Sequence, residues 1–204
     1  MATFLVHIYV AAPGTPLKLE PFGTSLPGHM FYVIDDGRSR NSFGLAPIKH
    51  GETQGLGKVF PDDENNYQNP LYKRTLEITK AHYDKLFEFG KAPTRYGFST
   101  YYQDVRNNCV DFTWAALNYA GIHATTRQGA SRGHPAKNVP RPKYEGSLKP
   151  TKNVDDIQTI QPPFPSSKLN SETHNPMPKQ TTLQWMLSET KLPSPPNVAK
   201  RGLS

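Results

Sequence analysis

The stretch RNNCVDFTWAALNYAGI, residues 106–122, decides how the chain is read. Val110, Trp114, Leu117 and then Tyr119 or Ala120 recur at helical spacing, which predicts a helix over residues 108–120. Asn107 or Asn108 is a natural N-cap, Asp111 suits the positive end of the helix dipole, and Gly121 is the expected stop. The only cysteine, Cys109, falls in the first turn. Two roles are open to it: a small apolar filler in a core, or a nucleophile seated at a helix N-terminus.

The second role needs a partner. A free thiol titrates near about 8.5, and the thiolate is the nucleophile. A helix N-terminus favours negative charge by roughly 0.3–2 kcal/mol, against about 1.4 kcal/mol for one pH unit. The helix alone therefore falls short, and a neighbouring imidazolium must supply the rest. Of the seven histidines, His29 stands out. It follows Pro27-Gly28 and opens the strongest strand, HMFYVI, and a strand fixes the direction of its side chain. His7 sits within the first strand and reads as core. His82 reads as surface on a helix, His50 lies in a Gly-rich turn, and His123, His134 and His174 lie in loops. His174-Asn175-Pro176 offers a rival base in Cys–His–Asn order, but neighbours on an extended segment point opposite ways.

Around this core the chain reads as three zones. Residues 1–60 are strand-like: FLVHIYV, then HMFYVI and NSFGLAP joined by the turn signal DDGRSR, which makes residues 29–47 a hairpin. Residues 61–105 begin with a polar loop, PDDENNYQNP. A strand, YKRTLEIT, follows, and then a helix, TKAHYDKLFEFG, with Thr79 as N-cap and Gly90 as the stop. After Gly121 the chain is basic, Pro-rich and poorly periodic; NVDDIQTI reads as an added strand and TTLQWMLSETK as a short helix. The reading is one domain over residues 1–190, with 122–190 a loop-rich extension and 191–204 a disordered tail.

Composition narrows the classes. The net charge of +7 is scattered, concentrating only mildly after residue 125, and no zinc finger, basic helix or RNA-binding signature occurs. It implies a general attraction to anionic surfaces, not nucleic acid. One cysteine excludes an intrachain disulfide and a Cys-based zinc cluster, and no other ligand cluster has metal spacing. The N-terminus MATFLVHIYV reads as a strand, not a signal peptide, and no apolar run reaches the ~18 residues of a membrane span.

The motifs GHMFYVI, SFGLAP and NNCVDFTWAAL resemble the papain-like, NlpC-type superfamily of cysteine peptidases and amidases. His29 precedes Cys109 by 80 residues, an order that matches the circularly permuted branch, which includes the lecithin:retinol acyltransferase-like enzymes and the PPPDE-type isopeptidases. The chain resembles still more closely toxin domains delivered by bacterial type VI secretion, over about residues 3–122 and the HNPMP region near 174. The resemblance implies an α+β fold with an antiparallel sheet packed on the Cys-bearing helix, Cys109 as nucleophile and His29 as general base. It implies a polar residue orienting the histidine from the next strand. Asn41 and Ser42 are the candidates, and Ser42 is preferred because Phe43 and Leu45 look core-facing; no His or Asp stands there. For the oxyanion, the Cys109 N–H is the default donor, with Gln103 and Asn108 as side-chain candidates for oxyanion or substrate contacts and Tyr101 or Tyr102 behind them.

The implied activity is thiol hydrolysis of amide bonds without a cofactor, in peptidoglycan stem peptides, by an antibacterial effector. Such a protein would be made in the bacterial cytoplasm, carried into a target cell's periplasm by a secretion apparatus or chaperone, and countered by an immunity protein. Two other readings stand beside it: an acyltransferase, thioesterase or isopeptidase using the same site, and a non-enzymatic module binding anionic glycans through residues 126–152.

Overall fold

Alternating side chains build the first strands. In β1 (Phe4–Ala11), Val6, Ile8 and Val10 share one face, while His7 and Tyr9 share the other. In β2 (His29–Asp35), Met30, Tyr32 and Ile34 take the first face; Phe31 and Val33 take the second, and all are buried. Burial on both faces explains why HMFYVI is apolar throughout instead of alternating. These contacts come from a computed structural model, which describes residues 2–18, 23–49, 51–103, 106–129 and 136–188.

The hairpin continues into β3 (Arg40–Pro47), and β4 (Gln54–Phe60) follows. The short α1 (Asp63–Asn66) and β5 (Tyr72–Ile78) lead to α2 (Lys80–Lys91). Then come β6 (Tyr101–Gln103) and α3 (Cys109–Ala120). The last part holds β7 (Thr125–Gln128), β8 (Lys137–Pro140), α4 (Val154–Gln158), β9 (Ser171–His174) and α5 (Thr182–Ser188). The main sheet is antiparallel with the order β6-β4-β3-β2-β1-β5-β9, and β7 and β8 form a separate ribbon. The fold class is α+β, with a large antiparallel sheet and, among the described residues, five α-helices. Helices α2 and α3 pack on each other and on the face carrying Met30, Tyr32 and Phe43. No helix among the described residues is long and apolar enough to cross a membrane.

Several local expectations change. Thr79 caps α2 as expected, accepting the His82 N–H, but Gly90 does not end the helix, which runs on to Lys91. Gly90 is there for space: a Cβ at that position would lie 2.4 Å from Phe43 Cδ1. NVDDIQTI is helical, not an added strand, because Arg74 reaches across to the carbonyls of Ile157 and Ile160 and pins a turn there. PDDENNYQNP is not simply a loop, since it contains α1. The extension after residue 121 lacks periodicity but is tied to the core. Buried Asn153 accepts from Trp114 Nε1 at 3.1 Å and donates to the carbonyls of Ser147 and Lys149. The expected tail, 191–204, lies outside the described residues, as do His50 and His134.

Candidate active site

Cys109 is the first residue of α3, and the cap in front of it is complete. The Asn108 side chain accepts the N–H groups of Val110 and Asp111, and the Asp111 carboxylate accepts the Asn108 N–H in return. This cap serves the second and third helical N–H groups and leaves that of Cys109 at the positive end of the helix. Asn108, expected as an oxyanion or substrate contact, thus spends its side-chain oxygen on the helix. Thr113, one turn on, fixes the helix to β2: its Oγ1 is 2.9 Å from the Cys109 carbonyl and 3.2 Å from that of Met30. Met30 follows His29, so one hydroxyl sets the thiol's helix against the histidine's strand.

His29 enters through Gly28, whose φ of +78° and close approach to the Ala11 carbonyl admit no side chain. The imidazole Nε2 is 2.9 Å from Asp63 Oδ2. The Cys109 thiol interacts with the same ring by charge and by hydrogen bonding. All three groups are nearly sealed: Cys109 is 5% exposed, His29 4% and Asp63 6%. Burial alone pushes the imidazole pKa down. The Asp63 charge, then that of Cys109, and hydrogen bonds to both overcome this and raise it to about 10. An imidazolium that persists through neutral pH is the partner a thiolate requires. The ring is also held flat by aromatic neighbours, Tyr67 at 4.9 Å and 19° and Phe31 at 5.7 Å and 25° between centroids and planes.

The orienting residue is corrected. Ser42 and Gly44 do share the face of His29, opposite Phe43 and Leu45, but the imidazole is held by Asp63 and not by Ser42. Ser42 Oγ instead accepts the Glu64 N–H at 3.4 Å, steadying the helix that presents Asp63. Gly44 makes that presentation feasible, since a Cβ there would sit 1.8 Å from Asp63 Oδ2 and 2.7 Å from His29 Nε2. Asn41 shares the other face with Phe43 and Leu45 and bonds Tyr83. Asp63 has a sequence signal in hindsight: Pro61-Asp62-Asp63-Glu64 is a helix-start pattern, with acids in its first turn. Tyr67, the half-buried aromatic within that polar run, is the other residue the sequence reading passes over.

Gln103 ends β6, and its backbone closes the turn into α3, accepting the Arg106 N–H at 2.9 Å. Among the described residues no hydrogen bond joins its side chain to Cys109. Tyr101 is exposed and Tyr102 buried in the core. His174 lies on edge strand β9, with β5 and β1 between it and β2. At about 4.8 Å per strand it is remote from the thiol. His7 belongs to a separate network, with Nδ1 2.9 Å from Thr75 Oγ1 and Nε2 3.3 Å from Arg40. No group of three His, Cys, Asp or Glu among the described residues could hold a metal ion. No family model, curated protein or solved structure matches the chain.

Proposed function

We propose that the chain is a cysteine hydrolase that cleaves amide bonds, with peptidoglycan stem peptides as the substrate and a target cell's periplasm as the place of action. The observation carrying this reading is the sequence Cys109–His29–Asp63: a thiol at a capped helix N-terminus, an imidazole raised to about 10, and a buried carboxylate on its Nε2. The papain-like, permuted reading draws support from a His-bearing strand that precedes a Cys-bearing helix packed on an antiparallel sheet.

In the proposed cycle the thiolate attacks the carbonyl carbon, and the Cys109 N–H stabilises the oxyanion. Collapse breaks the C–N bond, and His29 gives its proton to the departing amine. The resulting thioester is attacked by water, whose proton His29 takes. Release of the acid restores thiolate and imidazolium. Asp63 keeps the ring oriented and charged throughout. Digestion of purified sacculi by wild type and Cys109→Ala, with fragments identified by mass, tests this directly. New amine and carboxyl ends with the wild type alone are expected, and intact sacculi with both would sink it. Delivery by secretion and an immunity protein belong to the same proposal; toxicity confined to periplasm-directed chain is its cellular counterpart.

One observation favours a second reading. Near-complete burial of Cys109 would shield a thioester from water, as transfer to another nucleophile requires. Hydroxylamine or a lipid alcohol outcompeting water for the acyl group would select the acyltransferase.

A further inference from the structure

The three reacting groups are closed to solvent, yet a thiolate must approach a carbonyl carbon to about 3 Å. Some covering part has to move. Helices α1 and α3 and strands β2 and β3 hold the site itself and cannot separate without dismantling it. The segment 177–188, which contains α5, is placed differently. It crosses to the connection between β1 and β2, the loop that ends at His29. Gln180 Nε2 donates to the Pro13 carbonyl at 2.6 Å. Gln184 Nε2 is 3.0 Å from Thr24 Oγ1 and 3.2 Å from the Ser25 carbonyl. Gly14 has no room for a side chain because the Lys179 carbonyl lies 2.6 Å from where its Cβ would be.

That loop touches the site at two points. Pro13 packs on Gly28, the residue before His29, with its Cδ 3.0 Å from the missing Cβ. Ser25 hydrogen-bonds Tyr67, the ring stacked on the imidazole. The way α5 is attached matters as much as where. It turns Gln184 inward, 5% exposed, and leaves Leu183 at 55% and Met186 at 58%. A helix docked to stay would bury its apolar face. One held by amide hydrogen bonds exchanges them for water at little net cost.

We propose that residues 177–188 form a releasable strap that clamps the β1–β2 loop over the site, so that Cys109 becomes reachable only when α5 lifts. The proposal rests on Cys109, His29 and Asp63 being the reacting groups, but its test reads access and not hydrolysis. In the full chain, Gln180→Ala with Gln184→Ala removes the two glutamine anchors from the strap side, and Thr24→Ala weakens one of them from the loop side. Iodoacetamide labelling of Cys109, followed by intact mass, is expected to accelerate at least tenfold in the double variant and less in Thr24→Ala. The acceleration is expected to depend only weakly on low urea, as a local opening does. An unchanged labelling rate overturns the strap, and so does acceleration with the steep urea dependence of global unfolding. Faster labelling without digestion of sacculi upholds the strap and counts against the peptidoglycan reading.

Discussion

Asp63 Oδ2 lies 2.9 Å from Nε2 of His29, and the carboxylate reaches that point only because residue 44 has no side chain. A three-residue cluster is thus assembled from α1, β2 and α3, with a glycine of β3 as the gap through which it closes. Four expectations follow from this geometry and its surroundings.

Removing the Asp63 charge while keeping its shape is the sharpest probe of the cluster. In Asp63→Asn the largest influence raising the imidazole is lost, and burial, which lowers it, is left less opposed. A charge at this range is worth about one to three pH units. The His29 titration followed by NMR should drop from about 10 by that order. An unmoved imidazole titration would remove Asp63 from the site.

Gly44→Ala separates chemistry from folding. The new methyl would overlap the Asp63 carboxylate, which must swing away. Overpacking of this kind costs about 1–3 kcal/mol, within what a domain of this size withstands. The variant should fold, lose the Asp63–His29 contact, and show the lowered His29 titration of Asp63→Asn. A folded Gly44→Ala with the wild-type His29 titration would contradict the geometry.

The two buried histidines should give opposite pH limbs to stability. Burial, then Lys73 and Arg40, push His7 down to about 4, while Asp63 and Cys109 overcome burial and raise His29 to about 10. Unfolded, both titrate near about 6.5. Between about 4 and 6.5 the unfolded chain holds more protons at residue 7, so stability rises with pH. Between about 6.5 and 10 the native chain holds more at residue 29, so the stability His29 contributes below 6.5 is lost as pH rises. Urea midpoints across this range should trace both limbs. His7→Gln should flatten the acid limb and Asp63→Asn the alkaline one. A midpoint climbing steadily from pH 6.5 to 10 in the wild type would refute the assignment to His29.

Gly90→Ala sets helix propensity against packing. Alanine gains about 1 kcal/mol over glycine within a helix, but the methyl would meet the Phe43 ring at 2.4 Å. Overpacking at about 1–3 kcal/mol outweighs the gain, so thermal unfolding should move several degrees lower. A raised midpoint would mean that α2 can shift off β3 at no cost.

Much of this architecture was legible from local pattern. The β2–β3 hairpin, the cap and stop of α3, the burial of Trp114 and the shared face of Ser42 and Gly44 all follow from spacing and turn chemistry. What escaped depends on contacts remote in sequence. Asp63 sits in a four-residue helix within a run of Asp, Glu and Asn, and nothing local says that one of those acids is buried 34 positions away against His29. Gly90 has the composition of a helix stop, and only the Phe43 ring explains why the helix runs through it. NVDDIQTI looks strand-like until Arg74 is seen to claim its carbonyls.

The hydroxyl of Thr113, shared between the carbonyls of Cys109 and Met30, has a practical implication. The helix of the sulfur and the strand of the imidazole are tied through one hydroxyl, a link that no bordering loop takes part in. For the proposed hydrolase this would make the pair portable: exchanging neighbouring segments would change what it meets without disturbing how thiol and imidazole are joined.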